Sequence, residues 1–187
     1  MAKAATQGAT ERPADKPFVY LEQHNHYSDE MLRAILAQVR TIGIVGASTI
    51  WQRPSYYACK YLIHKGYKII PINPSSAGEE VLGNKVYASL DDVPGPIDMV
   101  QVFRASADAY AVTQDTISNM GTKGIRVLWM QVTVRDDAAA EEAEKAGLTV
   151  VMDRCPKIEF ARLSGELSWF GINSRVITAK SLRPPNA

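Results

Sequence analysis

Five short apolar runs recur along the chain, at Thr41 to Gly46, Tyr67 to Pro71, Ile97 to Phe103, Ile125 to Met130 and Leu148 to Met152. They are rich in Ile and Val and lack the in-out alternation of a half-exposed strand, so they predict parallel strands buried on both faces. Between them, Pro54 to Lys65, Ser106 to Met120 and Asp136 to Ala146 carry helical spacing. Each ends at a glycine (Gly66, Gly121, Gly147) where a left-handed cap would fall. A helix precedes the first strand, with Ser28 as N-cap and Met31, Leu32, Ile35, Leu36 and Val39 as its apolar face. Another starts near Pro156 and turns Ile158, Phe160, Ala161 and Leu163 inward. Glu79 to Pro94 reads as an irregular crossover with a hairpin-like excursion or one helical turn at Leu82-Gly83 and Leu90-Asp92.

Repeated β-α-β units with right-handed crossovers predict an α/β fold: a doubly wound open parallel sheet of about five strands, in the Rossmann-like order 3-2-1-4-5. The 187 residues suffice for one domain, placed at 28–172, with a flexible N-terminal arm at 1–27 and a C-terminal tail at 173–187. Trp169, Phe170 and Ile172 are expected to pack on the body or against a second subunit. The 21 basic and 20 acidic side chains nearly cancel, which removes the global field that draws a protein to nucleic acid or anionic lipid. No run approaches the roughly 20 apolar residues of a membrane span. A cytoplasmic protein with two reduced thiols, Cys59 and Cys155, and no metal site is expected.

In such sheets ligands bind beyond the carboxyl ends of the strands. Those ends lead here into Gly46-Ala47-Ser48, Asn73-Pro74, Phe103-Arg104, Met130-Gln131 and Asp153-Arg154-Cys155. Gly46 permits a sharp exit from the strand, and the next helix points its amides at a close-lying anion. Arg53 adds a fork of donors before Pro54. A dinucleotide fingerprint G-x-G-x-x-G is absent, since Ser48 and Trp51 hold the second and third places. Asn73 stands where a nicotinamide enzyme carries an acid. An NAD(P)-binding oxidoreductase is thus the minor alternative, and no Walker loop supports ATP hydrolysis.

Gly46-Ala47-Ser48, Arg53-Pro54-Ser55, Tyr61-Leu62, Gly66-Tyr67, Ile70 to Pro74, Leu82-Gly83, Val102-Phe103-Arg104, Trp129-Met130-Gln131 and Met152 to Cys155 follow one another in an order that resembles the CoA-binding domain family. That family is related to the N-terminal domain of the succinyl-CoA synthetase alpha subunit. The resemblance covers roughly 41–163 and implies a coenzyme A or acyl-CoA ligand. It places the diphosphate at Gly46, Ala47, Ser48, Arg53 and Pro54, the nucleotide at Asn73 and Pro74, the adenosine side at Phe103 and Arg104, and the pantetheine arm at Met130 and Gln131. Two positions depart from the family pattern: Ala105 replaces a second basic residue after Phe-Arg, and Thr133 replaces a glycine.

The expected role is a sensor, carrier or regulatory module without ligase activity of its own, as a homodimer or docked to an acyl-CoA enzyme. The alternative is a thiol-dependent acyl-CoA transferase using Cys155, whose neighbours Arg154 and Lys157 favour a thiolate. A buried thiol serving as a small hydrophobe is the plainer view of that residue. His24 and His26 fall in the polar arm and read as solvated, and His64 as a helix-end cation. Asp153 and Glu159 read as structural, with Asp153 capping or pairing with Arg154. Trp129 reads as core.

Overall fold

The computed structural model describes residues 21–166. The chain alternates α1 (Asp29–Gln38), β1 (Thr41–Val45), α2 (Pro54–His64), β2 (Lys68–Ile72), a two-strand hairpin β3 (Glu80–Val81) and β4 (Asn84–Lys85), β5 (Met99–Val102), α3 (Ser106–Lys123), β6 (Val127–Met130), α4 (Asp137–Lys145), β7 (Thr149–Val151) and α5 (Pro156–Leu163). The five long strands are parallel and run β2-β1-β5-β6-β7.

Outside β2 the crossover adds a single parallel bridge, Ile72 to Tyr87. There Tyr87 N donates to Pro71 O, and Asn73 N donates to Tyr87 O. With that bridge in the third place, the order reads 3-2-1-4-5 from this edge, and β7 follows as a sixth position. The hairpin turning at Leu82-Gly83 is the expected excursion.

Strand alternation divides the core in two. Ile42, Ile44, Met99, Trp129 and Val151 pack under α1, α2 and α5, while Val100, Val102, Leu128, Met130 and Val150 pack under α3 and α4. Trp129 is fully buried, as expected, and its indole donates to Arg154 O at 2.8 Å. Ser28 caps α1 by accepting from Met31 N, and Asp136 caps α4 by accepting from Ala139 N.

Three expectations need correction. The third helix runs past Gly121 to Lys123, and Gly124, at φ +73°, is its left-handed cap. Ile158 is 51% exposed instead of inward, because α5 turns Phe160 and Leu163 to the core. The segment before α1 is not a solvated arm throughout. His24 is buried, its Nδ1 lies 2.8 Å from Tyr27 Oη, and its Nε2 lies 3.2 Å from Glu144. Tyr27 Oη accepts from Met152 N, and Arg135 donates to Leu21 O and Asn25 Oδ1, so residues 21–27 strap onto the β7 edge. His26 is exposed. The expectations for 1–20, for Trp169, Phe170 and Ile172, and for the tail lie outside the described residues.

Candidate functional site

The carboxyl ends of β1, β5, β6 and β7 open into one cleft of about 760 Å3, within the range of small-molecule sites. The start of α2 gives it Gln52, Pro54, Tyr57 and Ala58. The end of β5 gives Phe103 and Arg104, the loop after β6 gives Gln131 to Val134, and the start of α5 gives Cys155, Lys157 and Ile158. Parallel strands put these four junctions on one edge, so residues more than 100 positions apart face a common space.

Of the residues singled out in the sequence, Pro54, Phe103, Arg104, Gln131 and Cys155 line the cleft directly. Gly46 supports it from behind. At φ +88° its Cα packs so close to β5 that an added Cβ would lie 2.3 Å from Phe103 O and 3.3 Å from Arg104 Cδ. The turn therefore sets where Phe103 and Arg104 stand.

Ala47 and Met130 are fully buried. Neither presents side-chain surface to the cleft; their side chains pack beneath it, which leaves the backbone as the part of Ala47 that an anion could reach. Ser48 N donates to Ser55 Oγ at 3.1 Å, and Ser48 Oγ accepts from Ile50 N at 3.2 Å, so that hydroxyl holds the turn in shape. Asn73 ties the β2 end to the β1 end: its Nδ2 donates to Ala47 O at 2.8 Å, while its Oδ1 accepts from Ser75 N. Pro74 starts a single 3-10 turn and is exposed, and neither residue lines the cleft. Arg53 is the exposed N-cap residue of α2, and among the described residues its guanidinium makes no hydrogen bond or ion pair.

Cys155 is 7% exposed and lines the cleft, and its Sγ lies 3.4 Å from Gln131 Nε2. Cys59 is different: it is fully buried on the inner face of α2, and burial pushes its thiol up to about 12. Arg154 turns away from the thiol, donating to Asp153 O at 2.7 Å and to Asn25 O at 3.2 Å, with Glu159 at 3.9 Å. Asp153 also lies 3.9 Å from Arg154, the expected pairing, and accepts from Thr133 N at 2.7 Å. Lys157 is the cation that remains on the cleft wall near the thiol.

Sequence reasoning missed Tyr57, Val132 and Ile158. Among the described residues the large exposed apolar side chains are Ile50, Trp51, Tyr57, Val132 and Ile158, and every one stands in a junction at this edge of the sheet. Trp51 reaches 61% exposure. The available signal was Ile50-Trp51 in the turn between β1 and α2, a poor place for two apolar residues unless something covers them. Cations on an apolar floor suit a ligand that joins an anionic group to an uncharged arm. Among the described residues no group of His, Cys, Asp or Glu forms a metal site, and no helix is long and apolar enough to cross a membrane.

Residues 40–161 match the family described as CoA binding domain. The chain is 34% identical over 130 residues to the uncharacterized protein YneT of Bacillus subtilis (strain 168), a match spanning 70% of this chain and 92% of that protein. It is similar to the crystal structure of Prb, the PH1109 protein redesigned for binding, with 38% identity and a TM-score of 0.69 over 75% of this chain and 94% of that one. A hypothetical protein from Pyrococcus horikoshii OT3 is 36% identical with a TM-score of 0.67, over 73% and 92% of the two chains.

Proposed function

This chain belongs to the CoA-binding domain family, and from that premise we propose that it is a cytoplasmic module that holds coenzyme A or its thioesters in the cleft and serves as a sensor, carrier or docking subunit. The observation that carries this reading is the composition of the cleft wall. Arg104 and Lys157 supply positive charge, Gln131 supplies an amide, and Phe103, Pro54, Val134 and Ile158 supply apolar surface. The Arg104 guanidinium pairs with a phosphate on the adenosine side, and the pantetheine arm lies along the apolar strip with its amides toward Gln131. Arg53, without a partner among the described residues, adds a third cation at the head of α2, beside the helix N-terminus. Asn73, committed to the Ala47 carbonyl, leaves no carboxylate at the end of β2 for an NAD ribose.

Calorimetric titration with coenzyme A tests the reading. Binding by the wild-type chain is expected, with a loss of roughly 1.5 to 3 kcal/mol in Arg104→Ala and in Arg53→Ala, the worth of a hydrogen bond to a charged group. An unchanged dissociation constant in both variants removes the anion seat, and no binding by the wild type removes the function.

A second reading rests on the thiol in the cleft. Cys155 Sγ attacks the thioester carbonyl, the Cys155 proton leaves with the coenzyme A thiol, and the acyl group stays on the enzyme. It requires an acyl adduct by intact mass after exposure to acetyl-CoA, absent in Cys155→Ser. A clean spectrum for the wild-type chain rejects it.

A further inference from the structure

A groove of about 410 Å3 runs along the seam of α2 and α5, lined by Tyr57, Lys60, Tyr61, His64 and Lys157. Tyr57, Lys60, Tyr61 and His64 stand at helical positions 0, 3, 4 and 7, so they form one stripe down α2. Tyr57 and Lys157 line both this groove and the cleft, so the two are neighbours along the α2 and α5 surface. Lys157 holds its ammonium 5.9 Å from the Tyr61 ring, and Tyr61 is fixed from behind by donating to Glu166 at 2.7 Å and by edge contact with Phe160. The lysine stems add aliphatic surface to the two tyrosine faces. At Tyr57 and Lys157 the cleft therefore borders a groove whose walls are chiefly rings and methylenes, and Ile158, one residue on from Lys157, is exposed on the cleft wall.

We infer that this groove receives the acyl chain of a medium-chain acyl thioester, making the thioester, and not free coenzyme A, the ligand for which the chain is built. The inference rests on the coenzyme A reading above and adds the identity of the group beyond the sulfur. The stripe from Tyr57 to His64 spans about 10 Å of helix, enough for a straight chain of medium length but open at its far end. A carrier or sensor that recognised coenzyme A alone has no use for apolar surface beyond the thiol, and leaving it bare invites aggregation. Covered by an acyl chain, the same surface discriminates ligands by length. Each methylene half-buried here strengthens binding about twofold, taking half of the roughly 0.8 kcal/mol for a fully buried one.

The test is a calorimetric series on the full chain with coenzyme A, acetyl-CoA, butanoyl-CoA, octanoyl-CoA and glutaryl-CoA. Affinity is expected to climb with chain length, octanoyl-CoA binding at least about tenfold more tightly than coenzyme A. Tyr61→Ser is expected to remove most of that advantage with coenzyme A affinity unchanged, and Tyr61→Phe, which keeps the ring, to retain it. Should Tyr61→Ser fail to fold, the wild-type series alone decides. A flat series with coenzyme A bound overturns the groove assignment and leaves the coenzyme A reading standing. Tighter binding of glutaryl-CoA than of octanoyl-CoA also overturns it, since the lysines and not the rings would then select the chain. Equal loss in both Tyr61 variants does the same, by tracing the effect to the Glu166 bond. Failure of every compound to bind overturns the coenzyme A reading itself.

Discussion

Adding one methyl group at Gly46 tests how the first turn governs the cleft. At φ +88° an alanine pays about 1–2 kcal/mol for left-handed backbone. Its Cβ would also lie 2.3 Å from Phe103 O and 2.9 Å from Phe103 C. Backbone cannot swing away as a side chain does, so the end of β5 must retreat. That retreat is opposed by the bond from Phe103 N to Val45 O and the one from Gly46 N to Ile72 O, both 2.8 Å. Overpacking of this kind adds roughly 1–3 kcal/mol, so Gly46→Ala is expected to destabilise by about 2–5 kcal/mol in urea unfolding. Gly78→Ala is the control: φ is again +88°, yet nothing lies within 4 Å of its added Cβ, and only the backbone cost of about 1–2 kcal/mol is due. Because the displaced residues are Phe103 and Arg104, coenzyme A affinity should fall in Gly46→Ala and hold in Gly78→Ala. Equal destabilisation by the two substitutions would refute the reasoning, for it would mean that the close approach of turn and strand constrains nothing.

Two further outcomes follow from buried polar groups. Burial holds the His24 imidazole below its usual pKa of 6.5, against the opposing pull of Glu144 and Asp137 and together with Arg135. A lowered folded pKa means stability is present above pH 6.5 and lost as the pH falls through the folded value, so the melting temperature should drop between pH 7.5 and 5.5, and by less in His24→Gln. An identical drop in the variant would clear His24 of the effect. Gln101, fully buried in β5, has neither amide atom hydrogen-bonded among the described residues. Gln101→Met should therefore raise stability by about 1–3 kcal/mol, and a loss in urea unfolding would show that the amide is satisfied in solution.

The sheet was legible because buried parallel strands are apolar on both faces, and runs such as Ile42 to Val45 and Leu128 to Met130 have no other reading of that length. Helix ends were less so. Gly121 and Gly124 both stop a helix on paper, and the choice fell to tertiary contact: Ile97 N donates to Lys123 O, which holds the last turn down. The edge of the sheet that carries the site was legible from residue types, while contact with the cleft was not. Asn73 looked like a ligand residue, and its amide is spent on the Ala47 carbonyl. Ile158 looked like core, and it stands on the cleft wall. Position along the chain says which junction a residue occupies; the rotation of α5 about its axis, set by Phe160 and Leu163, decides what it faces. His24 escaped for a related reason, since the burial of a polar segment depends on Arg135 and Tyr27, contributed from distant positions.

Thr133 shows how a departure from a family pattern carries physical content. In place of glycine it adopts φ +69°, and across from it Asp153 adopts φ +52°, each a left-handed non-glycine residue at a cost of about 1–2 kcal/mol. The two hold one another: Thr133 N donates to Asp153 Oδ1, and Asp153 N donates to Val134 O at 3.1 Å. Ser106 completes the clamp by donating to Thr133 O and accepting from Arg135 N. Glycine at 133 would relieve the strain and leave the Asp153 bond intact, but it would also strip a side chain from the cleft wall beside Val132 and Gln131. Strain kept where relief is so cheap lies on the cleft wall, where the Asp153 and Ser106 bonds hold Thr133 beside Val132 and Gln131.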